Sequence, residues 1–358
     1  MPVAVVVGVA ALLVLLIVAG AAFVGFSRGV DADGSAQGNA GATPDWGALA
    51  ARQLQTAPGL RYEGTMSADG RPVRVVLQVS RAGSASGAMT VGGLRALVVS
   101  VGDQTFVKAG PAFWRTYGGE SSHPENYANR WSKAPATLFK MNVADVLGVT
   151  SIATLLGKTT ARPAKETVGG TPVYRLRTQR ADYFLAAAAP HQLLRVHPAG
   201  PGDPRFQATP LADTAALFTE MRPRVAALGG AGDPGLRFRP GTLTFVNCDD
   251  NVHGCTIRLP ATMTSPDGAV PANARAQLRA TITAEGRALG SCTGSGPVPA
   301  NREMVLRCTV GGRVWSAWMG RARDIPGAHP YGATARVVGE AVDRAGVRDL
   351  LAKIDRER

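Results

Sequence analysis

The sequence predicts an α+β protein. It reads as an N-terminal transmembrane helix, a curved antiparallel sheet carrying a helical lid on one side, and a small disulfide-stapled β-sandwich. Three observations lead there. Residues 3–26 contain no charged side chain. From residue 59 to residue 197, short alternating stretches come in the order strands, helices, strands, with hairpin-length connections. All four cysteines then fall in a later stretch made of short strand patterns.

The first element is the apolar run. Its 24 uncharged residues would span about 36 Å as a helix, more than the roughly 30 Å hydrocarbon core of a bilayer. A cleaved secretory signal is the rival reading, since Ala19-Gly20-Ala21 fits a small-residue cleavage site. No basic stretch precedes the run, which favours an uncleaved anchor. The expectation is therefore a single-pass protein of the cell membrane whose C-terminal ectodomain lies outside the cytoplasm. Residues 27–44, rich in Gly, Ala and Asp, read as a flexible tether.

Residues 45–200 carry the α+β pattern. Leu60–Ser67 and Arg71–Ser80 flank the turn Ala68-Asp69-Gly70, a hairpin signal. In RPVRVVLQVS, Val73, Val75, Leu77 and Val79 alternate with Arg74, Gln78 and Ser80, which describes a strand buried on one face. Ala85–Val91, Leu94–Val101 and Thr105–Ala109 continue the strands. Helical patterns over 124–130 and 135–156 intervene, and strands return from Ala164 to His197. Residues 201–235 read as a linker containing one helix, with Phe218, Met221, Val225 and Leu228 at helical spacing and GGAGDPG as its end. Residues 236–342 give seven short strand signals, Val314–Met319 among them, and so a small sandwich. Residues 343–358 form an amphipathic helix with Val347, Leu350, Leu351 and Ile354 on one stripe.

The segment CDDNVHGC, residues 248–255, poses the question of a metal site. Zinc sites want C-x-x-C or C-x4-C pairs with a matched second pair. Here the cysteines are separated by six and by fifteen residues, and His253 has no histidine at ligand spacing. Hairpin geometry fits better. Cys248 ends one strand and Cys255 begins the next, while Cys292 and Cys308 lie symmetrically about the turn SGPVPAN. Two disulfides, Cys248–Cys255 and Cys292–Cys308, are expected, consistent with an exported compartment. No metal and no cofactor are implied.

No catalytic residue emerges. GAGDPG matches the glycine spacing of a dinucleotide fingerprint, yet it follows a helix and contains Pro234, where the fingerprint follows a strand and opens a helix. GSCTG resembles a nucleophile elbow around Cys292, but a Pro/Gly turn follows it where an elbow leads into a helix. The five histidines are dispersed. The expectation is not an enzyme. The net charge of +13 comes from 33 arginines against 6 lysines, scattered without a run of like charge. With aromatics at 6%, no base-stacking surface is apparent, and a nucleic-acid partner is not expected.

Three passages carry a resemblance: LRYEGTMSADGRPVRVVLQVS, LRALVVSVGDQTFVKAGPAFW, and RWSKAP followed by helices and VGGTPVYRLRT. In these, residues 46–200 resemble the LolA-like fold, specifically the LppX/LprG-type envelope lipoproteins of actinobacteria. The cysteine-bearing region looks like the Ig-like modules of bacterial envelope proteins. The resemblance implies a curved sheet and helical lid around an apolar cavity for acyl chains. It departs from that family in two ways: an apolar anchor stands where the family carries a lipidated cysteine, and a second region is appended.

The expected cavity lining is Val75, Leu77, Val79, Leu97, Val99, Val101 and Phe106, with Arg71 or Arg130 near an anionic headgroup; the alternative is an ordinary core under the helices. The expected function is a membrane-anchored envelope protein whose first domain binds a lipid or lipoglycan. The alternative is a structural or sensory ectodomain that binds protein partners without a lipid ligand.

Overall fold

The computed structural model describes residues 45–358 except 69, 119–122, 136, 137, 139, 140, 161, 201 and 250. Helix α1 (Trp46–Gln55) starts where the Asp45 carboxylate accepts from the Gly47 N–H, and it buries Trp46, Ala50 and Leu54. A meander follows: β1 (Gly59–Ala68), β2 (Arg71–Ser80), β3 (Ala85–Val91), β4 (Leu94–Val101) and β5 (Gln104–Ala109). Each pairs antiparallel with the next, β1 with β2 from Gly59↔Ser80 to Ala68↔Arg71. Helices α2 (Pro111–Tyr117) and α3 (Pro124–Tyr127) lead to β6 (Trp131–Lys133), and then to α4 (Val143–Leu147) and α5 (Val149–Gly157). Strands β7 (Lys165–Val168), β8 (Thr171–Arg177), β9 (Ala181–Ala186), β10 (Leu193–Pro198) and β11 (Arg205–Pro210) bring the chain back to pair with β1.

The second half begins with α6 (Ala215–Ala226), β12 (Ala231–Asp233), β13 (Arg237–Pro240) and β14 (Thr244–Val246). Then come β15 (Cys255–Ser265), β16 (Arg275–Ala284), β17 (Arg287–Pro297), β18 (Glu303–Val310), α7 (Arg313–Asp324), β19 (Gly332–Val342) and α8 (Arg344–Glu357). The strands make two sheets. A 15-stranded sheet runs β17-β16-β19-β12-β6-β5-β4-β3-β2-β1-β11-β10-β9-β8-β7, and a four-stranded sheet holds β13, β14, β15 and β18.

Three cores follow from this arrangement. One lies on the inner face of the long sheet, where Tyr62, Leu77, Phe113, Trp114, Leu147 and Ile152 are buried under α1, α2, α4 and α5. A second fills the space between the small sheet and the β16–β17–β19 end, around Ile257, Leu278, Ile282 and Trp315. The third lies on the outer face of β4 and β5, where α6 and α8 bury Val99, Phe106, Met221, Val225 and Ile354.

The α+β expectation is therefore corrected. Among the described residues the protein is mostly β, with 44% strand and 24% helix. The sheet does not stop at a domain edge, because β6 and β12 pair in parallel at Ser132↔Gly232 and join strands from both halves. The expected separate sandwich draws one of its layers from the end of this long sheet. Helices cover both faces of the sheet, since β4 and β5 are apolar on both sides and α6 and α8 close the second one. GGAGDPG, expected as linker, supplies β12. The expected strand Val314–Met319 is helical, for Trp315, Trp318 and Met319 fall at i, i+3 and i+4 and are buried, while Val314 is exposed. Among the described residues no helix is long and apolar enough to cross a membrane; the 3–26 segment, expected to be one, lies outside them. The C-terminal helix is as expected, with Val347, Leu350, Leu351 and Ile354 packed into the third core.

Both disulfides are present. Cys248 and Cys255 are bonded with Cα atoms 4.2 Å apart, and Cys292 and Cys308 with Cα atoms 5.6 Å apart. The second differs from expectation in its setting. β17 pairs with β16 and β18 with β15, so the bond ties the edge of the long sheet to the edge of the small one instead of bridging a hairpin.

Candidate functional site

Residues of the expected lining separate into two groups. Val75, Leu77 and Val79 are buried on the inner face, under α1, α4 and α5. Leu97, Val99, Val101 and Phe106 lie on the opposite face, in the core beneath α6 and α8. Register explains the split: Val75 stands opposite Met89, which stands opposite Ala96, and Leu77, Gly87 and Val98 form the next row. The even-numbered residues of β4 thus share a face with the odd-numbered residues of β2. Alternation in ALVVSV could not show this, because both parities are apolar. Arg71 and Arg130 are exposed, and neither lines the groove described next.

A groove runs between α5 and the β8–β9 hairpin. A cavity of about 490 Å³ lies there, with walls from Thr150, Ser151, Thr154 and Leu155 of α5 and its C-cap Lys158, Thr178, Gln179 and Arg180 of the hairpin turn, Asp145 of α4, and Tyr183 of β9. Tyr183, opposite Leu176 of β8, belongs to a line of inward-facing residues. It stands opposite Val196, then follow Phe206, Gly64, Val75 and Met89, each paired with its neighbour across adjacent strands. The groove thus lies beside the β9 end of the row that holds Val75, with Tyr183 common to both.

The helices over the inner face are held by polar clips at the α4–α5 elbow. The buried Tyr62 hydroxyl donates to the Leu147 carbonyl at 2.7 Å, and the Tyr183 hydroxyl donates to the Val146 carbonyl at 3.1 Å. These carbonyls end a short helix and have no partner one turn on, so the tyrosines satisfy groups that burial would otherwise leave costly. The Thr150 N–H and hydroxyl both donate to the Arg81 carbonyl at 3.0 Å. Gly83, at φ +103°, lets the β2–β3 turn approach so closely that a Cβ there would lie 2.4 Å from the Ala144 Cα. Burial pushes the Tyr183 phenol up to about 12, with Arg180 drawing it down and Asp145 raising it, and burial drives the Tyr62 phenol well above its usual value.

The rim of the groove is charged and hydroxylated. Arg180 and Asp145 form an exposed ion pair at 3.2 Å, and Thr154 of α5 and its C-cap Lys158 are exposed. Eight of the ten wall residues are polar or charged, and Leu155 and the ring of Tyr183 are the apolar side chains among them. A larger cavity of about 570 Å³, beside the start of α8, has a different character. Its buried Glu340 already accepts from Arg275 at 2.9 Å and from Gln277 at 3.4 Å, so that network reads as a structural seam. The groove residues left no trace in the alternation pattern. Only the polar stripe Thr150, Thr154 and Lys158 along α5, beside the partly buried Leu155, marks a face that is neither core nor fully solvated.

The bond between Cys248 and Cys255 takes both thiolates of CDDNVHGC out of metal chemistry. Around it, Trp315 Nε1 donates to the Asn251 carbonyl and the Ser316 hydroxyl to the Val252 carbonyl, which fixes the loop against α7. Comparison with protein-family models and with curated proteins finds no match to this chain.

Proposed function

We propose that the chain is a membrane-anchored envelope protein that takes an acyl chain of a lipid or lipoglycan into the groove between α5 and the β8–β9 hairpin. The observation that carries this reading is the groove itself: a trough of about 490 Å³ beside the β9 end of the Tyr183–Val75 row, with Lys158 and Arg180 on its rim. Its size falls in the range of small-molecule sites. The two cations suit an anionic or phosphorylated headgroup, and the hydroxyls of Thr150, Ser151 and Thr154 suit a sugar or glycerol. The resemblance of residues 46–200 to LppX/LprG-type lipoproteins points the same way, as does the uncharged 3–26 segment.

Native mass spectrometry of the full chain after mild detergent extraction tests the reading. The expected result is a lipid-sized adduct that disappears in Thr154→Trp, whose indole would fill the trough from an exposed helix position. A chain that carries no adduct, or one that persists in that variant, refutes it. The alternative of a partner-binding ectodomain without a ligand draws on Phe245, Val246 and Val305, which the small sheet leaves exposed at 38%, 37% and 45%.

A further inference from the structure

On the outer face of the long sheet α6 and α8 cover β4 and β5, and α6 also reaches β3 and β2, where Arg224 donates to the Ser86 hydroxyl and the Gly87 carbonyl. Away from α6 the face is open, at the Arg74, Thr90 and Arg95 ends of β2, β3 and β4 and on across β1 and β11, and it is rich in arginine. Register places Arg205, Thr65, Arg74, Thr90 and Arg95 in one line across β11, β1, β2, β3 and β4, each opposite the next. All five are exposed. With strands about 4.8 Å apart, an arginine recurs about every 10 Å along the line. Arg61, Arg177 and Arg195 add to the same face. The strands β1–β4 and β8–β11 turn seven arginines outward against two carboxylates, Glu63 and Asp182. Glu63 sits between Arg61 and Arg74, and Asp182 is held by Arg175. The acids that approach from flanking segments are paired too, Asp203 with Arg205, Glu166 of β7 with Arg175, and Glu220 with Arg224. Two shallow depressions lie on this surface and share Arg74.

We infer that this open face docks on an anionic lipid bilayer, the arginine–threonine line meeting lipid phosphates. Guanidinium groups bind phosphate oxygens in a fork, and the intervening hydroxyls of Thr65 and Thr90 add donors. The face is broad rather than channelled. Its outward aromatic, Phe184, is buried beneath Arg175 and His197 and offers no stacking platform for a nucleic-acid strand. The length of chain before the folded unit agrees with a bilayer as occupant. The uncharged segment ends at residue 26, and the 18 residues 27–44 reach at most about 60 Å, so a bilayer that takes up that segment lies within range of the face. The inference is independent of what the groove holds.

Residues 44–358 form one compact unit with all three cores inside it, so this fragment serves as the probe. It is sedimented with vesicles of phosphatidylcholine plus phosphatidylglycerol and with vesicles of phosphatidylcholine alone. Binding to the anionic vesicles only, weakening with salt, is expected. Neutralising one arginine near a charged membrane lowers binding about fivefold, so Arg74→Gln, Arg95→Gln and Arg205→Gln together should lower it about a hundredfold. The control triple Arg313→Gln, Arg321→Gln and Arg323→Gln removes the same charge from exposed positions around α7 and should change binding less than twofold. Each single variant of the first triple, about fivefold weaker, reports on the face if the triple fails to fold. Equal losses in both triples, equal binding to both vesicle types, or retention on heparin without vesicle binding would overturn the inference.

Discussion

Gly232 pairs in parallel with Ser132, and through that step the strands of residues 59–210 and those of residues 275–342 become one sheet. Around it the packing is close. A Cβ on Gly232 would lie 2.9 Å from Tyr127 Cδ1 and 3.1 Å from the Ser132 hydroxyl oxygen. The same seam is held by Arg279, which reaches the Asn126 carbonyl at 2.7 Å and the Gly230 carbonyl at 3.0 Å. Burial lowers the Arg279 guanidinium to about 10, with Arg130 adding to the shift. The two halves thus share backbone pairing and a partly buried cation, and α8 returns from the second half so that Glu357 accepts from Ser80 and Ser84 of the first.

Gly232→Val should therefore weaken the whole unit and not one half of it. Overpacking against Tyr127 is expected to cost about 1–3 kcal/mol. Urea unfolding followed by fluorescence and by far-ultraviolet circular dichroism checks this: the midpoint should fall while both signals keep a single coincident transition. A fall seen in one signal alone would mean that the halves unfold separately.

The disulfide between Cys292 and Cys308 closes a loop of 16 residues and staples two sheets, whereas Cys248–Cys255 closes one of 7. Loop-closure entropy then sets the order of their effects. Replacing the first pair by alanine should cost about 3 kcal/mol and the second a little over 2 kcal/mol. Denaturant titration of the two double variants measures the difference, and peptide mapping without reductant verifies the pairing in the parent chain.

How far these features were legible in the sequence depended on segment length and on which faces are buried. The β1–β2 hairpin was readable because β2 alternates over ten residues with one apolar face, and α8 because its stripe repeats over a full 14-residue helix. The cysteine pairs were readable from spacing, although the sheet-to-sheet setting of Cys292–Cys308 was not. The Ser132–Gly232 seam was illegible, since β6 and β12 have three residues each, too few for any period to register. The faces of β4 were ambiguous because Val98 and Val99 are both fully buried. The α7 segment VWSAWM satisfied a strand pattern by composition, and only the placement of Trp315 and Trp318 against the second core decides for helix. At the groove, Tyr183 and Arg180 come together with Lys158 through tertiary packing that local sequence does not encode.

Alkali should expose the tyrosine clips. Tyr62, Tyr127 and Tyr183 all have phenols raised above the usual value of 10, the last two to about 12, chiefly by burial. Between pH 10 and 12 the unfolded chain loses these protons and the folded chain keeps them. Stability is then intact below pH 10 and lost as the pH rises toward 12, by about 1 kcal/mol per pH unit for each tyrosine. Tyr62→Phe with Tyr183→Phe should flatten that decline. At neutral pH the pair should cost about 1 kcal/mol for each lost hydrogen bond to the α4 carbonyls. Urea midpoints at pH 7 and pH 11 for parent and variant give both quantities.

Two tryptophan substitutions separate a groove ligand from an ordinary core. Leu77 is fully buried, and its Cδ2 lies 3.0 Å from where a Cβ on Gly87 would stand. Leu77→Trp therefore has no space to enter and should destabilise the fold by about 1–3 kcal/mol. Thr154 is exposed on α5, with its hydroxyl donating to the Thr150 carbonyl at 2.8 Å, and its side chain faces the trough. Thr154→Trp should shift stability by less than about 0.5 kcal/mol, as surface changes commonly do, yet displace an acyl chain from the trough. The paired measurement is thermal unfolding beside uptake of a fluorescent fatty-acyl probe by the full chain in detergent. Lost stability with Leu77→Trp and lost uptake with Thr154→Trp fit a packed sheet interior with a ligand groove beside it. Uptake unchanged by Thr154→Trp and abolished by Leu77→Trp in a still-folded protein would move the ligand inward to the Val75–Leu77–Val79 face.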